Sequence, residues 1–167
     1  MTTGSEMLFR AELSVRYHRR RAAFLERVNL LMTLVTVAAG AGIFVTLAAS
    51  VRGFAEVAGL VVAIIGVIQM VYSPEASAAK HRTWLKRWSG ILAEIRSSDT
   101  PSKTQLASWN KRQQEIEAEC VGELNALKTD CFNRTMRALD RVGKPKKLKW
   151  RHRLFMQVIS FEQAFEK

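Results

Sequence analysis

Apolar and polar positions are sharply segregated along this chain of 167 residues. Val28 to Val51 carries no charge, Arg52-Gly53 interrupts the run, and Val57 to Pro74 is again uncharged. A bilayer core of about 30 Å is crossed by roughly 20 residues rising about 1.5 Å each, so both runs are long enough to span it. A buried hairpin of a soluble bundle is usually shorter and carries a polar stripe, which neither run has. A cleaved signal peptide fits worse, because the first run is longer than the apolar core of such a peptide and follows 27 charged, helix-like residues. The pattern predicts a transmembrane hairpin over 28–74, with spans 28–51 and 54–74 that persist in the mature protein.

The flanks show helical periodicity. Residues 1–27 read as an amphipathic helix running without a breaker into the first span, with Leu13, Tyr17, Phe24 and Val28 on one side and arginines on the other. Residues 75–96 place Leu85, Trp88, Ile91, Leu92 and Ile95 on one face, and Ser97-Ser98-Asp99 breaks that helix. Thr100 then reads as an N-cap with Pro101 at the first helical position. From there to 141 a single helix is expected, carrying Ile116, Cys120, Leu124, Leu127 and Cys131 at 3.6-residue spacing and weakened at Gly122. The region 75–142 is thus a helical hairpin. Gly143-Lys144-Pro145 ends it, and 143–167 reads as a basic amphipathic helix with Trp150, Leu154, Val158, Phe161 and Phe165 on one side. The expected fold is an all-α membrane protein: a two-helix hairpin, an N-terminal cytoplasmic helix and a C-terminal cytoplasmic helical bundle.

Charge orients this picture. Lys and Arg total 26 against 15 acidic residues. Arg10, Arg16, Arg19, Arg20, Arg21 and Arg27 precede the first span, Lys80, Arg82, Lys86 and Arg87 follow the second, and Arg52 alone lies between them. The positive-inside rule puts both termini in the cytoplasm and leaves only the turn Ser50 to Phe54 outside. The arginines read as a solvated or headgroup-facing surface. Glu115, Glu117, Glu119 and Glu123 read as a solvated outer face.

Within the first span Asn29, Thr33, Thr36 and Gly40 fall on one stripe, and Gly59, Ala63 and Gly66 form the corresponding stripe of the second. Small and polar residues mark protein-facing surfaces in membranes, so the stripes pack on each other or on another subunit. Folding about Arg52-Gly53 brings Gln69 to nearly the depth of Thr36. There it hydrogen-bonds within the chain, or repeats around a homo-oligomer and lines a polar constriction. Lys144, Lys146, Lys147, Lys149, Arg151 and Arg153 crowd the start of the last helix, where the macrodipole disfavours cations. Anionic lipid headgroups would offset that cost, as would the phosphates of a nucleotide or nucleic acid, with Trp150 stacking on a base.

Cys120 and Cys131 form no CxxC pair and have no histidine near them in sequence, so they read as reduced packing thiols too far apart to bridge. His18, His81 and His152 are scattered, and no HExxH, GxSxG or P-loop occurs. No catalytic residue, metal or cofactor is expected.

The arginine-rich first helix, the hairpin ending in Gln69-Met70-Val71-Tyr72-Ser73-Pro74, and the helix from Ala78-Ala79-Lys80-His81 to Ile95 resemble the bacterial SLATT-type proteins over about residues 8–96. That resemblance implies a non-catalytic effector of the bacterial inner membrane acting in conflict systems. Such an effector forms pores or disrupts membranes when a nucleotide-signalling or nucleic-acid-sensing partner activates it. Its implied partners are the lipid bilayer, further copies of itself and a nucleotide-sensing or nucleic-acid-processing protein, with direct nucleic-acid binding left open. The competing expectation is a membrane-anchored scaffold or accessory subunit that recruits a protein or nucleic acid without forming a pore.

Overall fold

A computed structural model describes residues 4–40, 54–120, 122–141, 143 and 145–158, and every regular element in them is a helix. The elements are α1 (Gly4–Gly40), α2 (Phe54–Tyr72), α3 (Pro74–Arg96), α4 (Lys103–Glu119), α5 (Asn125–Ala138) and α6 (Trp150–Phe155). The turn at 50–53 with Arg52, the later part of the first apolar run, Lys144, Phe161 and Phe165 lie outside the described residues. Contacts divide the chain into a larger unit, Met1–Arg21 with His81–Lys167, and a smaller apolar unit, Ala22–Lys80.

The N-terminal helix runs without a break into the first apolar run. α1 is one helix of 37 residues, and it contains neither proline nor an internal glycine that would break its hydrogen-bond ladder. In the larger unit its residues Met7, Ala11 and Val15 pack with Trp88, Ile91, Leu92 and Ile95 of α3 and with Trp109 and Ile116 of α4. The expected apolar face of 75–96 is therefore a core face. A second cluster joins Tyr17 to Leu127 and Cys131 of α5, with Leu13, Leu124 and Met156 against it.

The expected helix over 101–141 is two helices. It stops at Cys120 and restarts at Asn125, with Gly122 between them at φ +80°, a left-handed conformation that costs glycine little. The Tyr17 hydroxyl accepts the Leu124 N–H at 3.0 Å, satisfying a donor that the break would otherwise orphan. The apolar stripe is consequently shared, Ile116 and Cys120 joining the first cluster and Leu124, Leu127 and Cys131 the second. The start of α4 also differs. Ser102, not Thr100, is the N-cap, and its hydroxyl accepts from Gln105 N (3.2 Å) while the Gln105 side chain accepts from Ser102 N (2.9 Å).

The last helix begins later than expected. Residues 145–149 are non-helical and α6 has only six residues, so Lys146 and Lys147 precede it and Lys149 is its N-cap. Pro145 and the paired Lys146 backbone explain this. Asn133 donates to Lys146 O (2.7 Å) and accepts from Lys146 N (2.8 Å), holding the strand-like stretch against α5. A conflict between crowded cations and a long helix dipole does not arise there.

In the apolar unit Ser73 separates α2 from α3 at φ 36°, its N–H bonded to Gln69 O and its carbonyl accepting from Ser77 N. Pro74 disfavours a right-handed helical residue before it and suits the first position of the next helix, so α2 ends at Tyr72 and α3 begins at Pro74. Among the described residues one helical stretch, Gly59–Arg96, is long and apolar enough to cross a membrane, and only 6% of its apolar window is buried. A core helix of a soluble protein would be mostly buried; this surface instead exposes Leu60, Val61, Ile64, Val67, Ile68, Met70 and Val71.

Candidate functional site

Three places in the molecule combine polar chemistry with burial or concentrated charge. The first is a cavity of about 920 Å³ in the larger unit, between α1, the C-terminal end of α4, the 120–124 break and α5. Phe9, Tyr17, Trp88 and Phe132 supply its aromatic wall, and Phe9 and Phe132 meet edge to face at 5.3 Å. Arg10, Lys128 and Arg141 face it together with Glu6, Glu117 and Glu123. Arg10 lies 3.8 Å from Glu117, Lys128 pairs with Glu123, and the Arg141 guanidinium stands 4.8 Å from the centre of the Phe9 ring. Balanced charge gives this wall no preference for a polyanion. Trp88 lines it while almost wholly buried, and its indole N–H has no partner among the described residues.

Cys120 also lines this cavity, and a histidine does stand beside it, contrary to the expectation from sequence. His18 Nε2 is 3.8 Å from Cys120 Sγ, and His18 Nδ1 is 2.9 Å from His81 Nδ1. One tautomer set satisfies all three: Cys120 S–H donates to His18 Nε2, and His18 Nδ1–H donates to His81 Nδ1. Tyr17 and Trp84 wall the pair. Burial, reinforced by His81, pushes His18 down to about 3; burial and the nearby Arg21 push His81 down to about 4. Burial and neighbouring glutamates push the Cys120 thiol up to about 11. The two imidazoles are therefore neutral at pH 7 and the thiol is protonated. Because His18 uses both ring nitrogens on different partners, the three do not converge on one point, and among the described residues no group of three or more His, Cys, Asp or Glu is arranged for a metal ion.

Glu115, Glu117, Glu119 and Glu123 are exposed as expected, and several arginines and carboxylates also form ion pairs. Arg20 pairs with Asp130, which Arg134 also reaches at 2.8 Å. Burial opposes the charge on Asp130, but the hydrogen bonds from Arg134 and Arg20 outweigh it and hold its carboxyl below the usual range. Arg16 and Arg96 both bind Glu12 at 2.8 Å, and Arg87 binds Glu119 at 2.5 Å. The sequence pattern correctly marked a charged face, but its partners come from helices far along the chain.

The second place is a cavity of about 580 Å³ in the apolar unit, lined by Asn29, Thr33, Gln69 and Ser73 with Pro74, Glu75, Ala76 and Ala79. Gln69 thus shares a pocket with Asn29 and Thr33, not with Thr36. Thr36 is exposed, and its hydroxyl donates to Met32 O at 2.9 Å, as Thr33 donates to Asn29 O. The part-buried positions are Val28, Asn29, Met32, Val35 and Ala38 on α1 and Val62, Ile65 and Gln69 on α2. Gly59, Ala63 and Gly66 are exposed, so the small-residue stripe turns away from the contacts within the chain. A Cβ at Gly59 or Gly66 would meet nothing within 4 Å. Larger side chains gain more dispersion contact, which favours Val62 and Ile65 as the covered face. Gly40 closes the described part of α1.

The third place is the basic segment. Lys146, Lys147, Lys149, Arg151 and Arg153 are all exposed, and so are Trp150 and Val158, which the sequence placed on one side of the helix. Leu148, His152 and Met156 are part-buried. No protein-family model, curated protein or solved structure matches this chain.

Proposed function

We propose that this chain is a non-catalytic membrane effector of the bacterial inner membrane. In this reading α2 and the apolar part of α1 form a two-span hairpin with both termini in the cytoplasm. Several hairpins assemble into a pore, or disrupt the bilayer, within a conflict or anti-phage defence system. The observation that carries the reading is the apolar unit's surface, uncharged along α2 from Val57 and largely exposed, which requires an apolar surrounding. α1 adds a means of control, since one helix contributes both to the core of the larger unit and to the apolar unit. A partner that rearranges the larger unit biases the hairpin assembly through it. The charge-balanced wall of the larger cavity favours a protein trigger, a nucleotide-sensing or nucleic-acid-processing partner, over a nucleotide bound in that cavity.

Induced expression with dye uptake and membrane-potential readings tests this. Activation by the partner is expected to depolarise the cells and admit dye; membranes that stay intact with the partner present would overturn the pore. Replacing Gln69 with Leu is expected to lower conductance while leaving the amount of membrane-integrated protein unchanged. A second reading, a non-pore scaffold or accessory subunit recruiting a protein or nucleic acid, is favoured by the exposed cationic segment 145–153. Recovery of a partner that disappears on charge reversal there, with silent electrophysiology, would select it.

A further inference from the structure

We propose that residues 145–158 form a preformed docking surface for an anionic lipid bilayer. The segment is anchored on one side and displays chemistry on the other. Asn133 clamps its start through both Lys146 backbone groups, Arg21 donates to Gln157 O near its end, and Met156 packs on the Tyr17, Leu127 and Cys131 cluster. Trp150 is 72% exposed, Phe155 43% and Val158 65%, on a segment whose other side is covered. Lys147, Lys149, Arg151 and Arg153 stand exposed among them.

Charge complementarity selects the occupant. Between Asp140 and Glu162 the sequence has no acidic residue, so the segment itself contributes cations and no carboxylate. A single-stranded nucleic acid would use the cations and Trp150 but would leave Phe155 and Val158 in water. An acidic protein would have to supply a matching apolar patch inside its own charged face. An anionic bilayer meets both demands at once, with lysine and arginine at the headgroups and an indole and apolar side chains at the acyl boundary. This inference rests on the membrane reading above and adds a second, peripheral contact that is sensitive to lipid charge.

The test uses the full chain reconstituted in phosphatidylcholine vesicles with or without phosphatidylglycerol as a minority lipid. Quenching by brominated lipid is read as the difference between the native protein and Trp150→Phe, which isolates Trp150 from Trp84, Trp88 and Trp109. Quenching of Trp150 is expected to be roughly five-fold or more stronger with phosphatidylglycerol, and to fall to the phosphatidylcholine level in K147E/K149E/R151E/R153E. The neutral K147Q/K149Q/R151Q/R153Q variant is expected to fall between them. Equal quenching in both vesicles, or none in either, overturns the proposal. So does an oligonucleotide that shields Trp150 from iodide in phosphatidylcholine vesicles, which would reassign the surface to nucleic acid. Resistance to alkaline extraction is scored in parallel: its loss would count against the spans alone, and the quenching result would still decide the surface.

Discussion

In the larger unit a carboxylate as buried as Glu12, 7% exposed, meets two guanidinium groups, whereas in the apolar unit Leu34 and Val67 stand 57% and 62% exposed. The first region internalises charge and pairs it; the second turns apolar side chains outward. A water-soluble fold explains the first arrangement and not the second, since large contiguous apolar surface is costly in water and ordinary in lipid. The contrast also revises the meaning of a basic composition. Arg10, Arg16 and Arg20 of α1 pair with Glu117, Glu12 and Asp130, while the cations of segment 145–153 are exposed.

Four measurements would break or sharpen this contrast. The largest effect is expected from Trp88→Ala, which empties the main cluster of the larger unit and should cost about 3–5 kcal/mol of its stability in denaturant titration of the detergent-solubilised protein. A cost under about 1 kcal/mol would mean that α1, α3 and α4 do not share that core. Next comes Val67→Lys, which on an insertion scale opposes membrane integration by about 2.5–3.5 kcal/mol and should reduce the fraction resisting alkaline extraction. Gln114→Lys, at an exposed position of the larger unit, should change stability by no more than about 0.5 kcal/mol. If both lysines were equally tolerated, the exposed apolar surface would not face lipid.

Acid should act on the larger unit and spare the apolar one. His18 and His81 titrate near 3 and 4 when folded, below the ordinary 6.5, so on acidification the unfolded chain takes up protons first. Their contact stabilises fully above about pH 6.5 and is lost progressively as the pH falls toward those folded values. By pH 5 the loss should reach roughly 2 kcal/mol for each imidazole, about 4 kcal/mol for the pair, and His81→Phe should flatten the profile. A stability independent of pH between 7 and 5 would place the two imidazoles in water. Apart from the Gln114→Lys control, the smallest effect is expected from Ser102→Ala, about 1 kcal/mol, read from the same denaturant titration as a shift in midpoint without a change in slope.

Periodicity made the helices legible, and their terminators less so. Leu85, Trp88, Ile91, Leu92 and Ile95 lie on the face that spacing assigned them, because a helix of more than five turns imposes its phase on every residue. The 120–124 break was visible only as Gly122, since the hydroxyl that takes up the Leu124 N–H at the start of α5 comes from Tyr17, more than a hundred residues away. The same distance hid the His18, His81 and Cys120 contact and the pairing of Arg20 with Asp130. At 145–158 the short-range pattern put Trp150 and Val158 on one side, and both are exposed. The backbone clamp from Asn133, which no local signal announces, accompanies part-buried Leu148, His152 and Met156. Within the apolar runs small residues suggested the contact, but bulk decided it.

The thiol of Cys120 carries a kinetic consequence. Burial and the neighbouring glutamates push it up to about 11, beside His18, so an alkylating reagent meets less thiolate at pH 7 than at an ordinary cysteine. Each transient separation of α1 from α4 would restore an ordinary thiol for its duration. When reclosing outpaces labelling, the modification rate equals the intrinsic rate multiplied by the opening equilibrium. The labelling rate of Cys120, followed by mass, thus reports on the opening of the helix that belongs to both units.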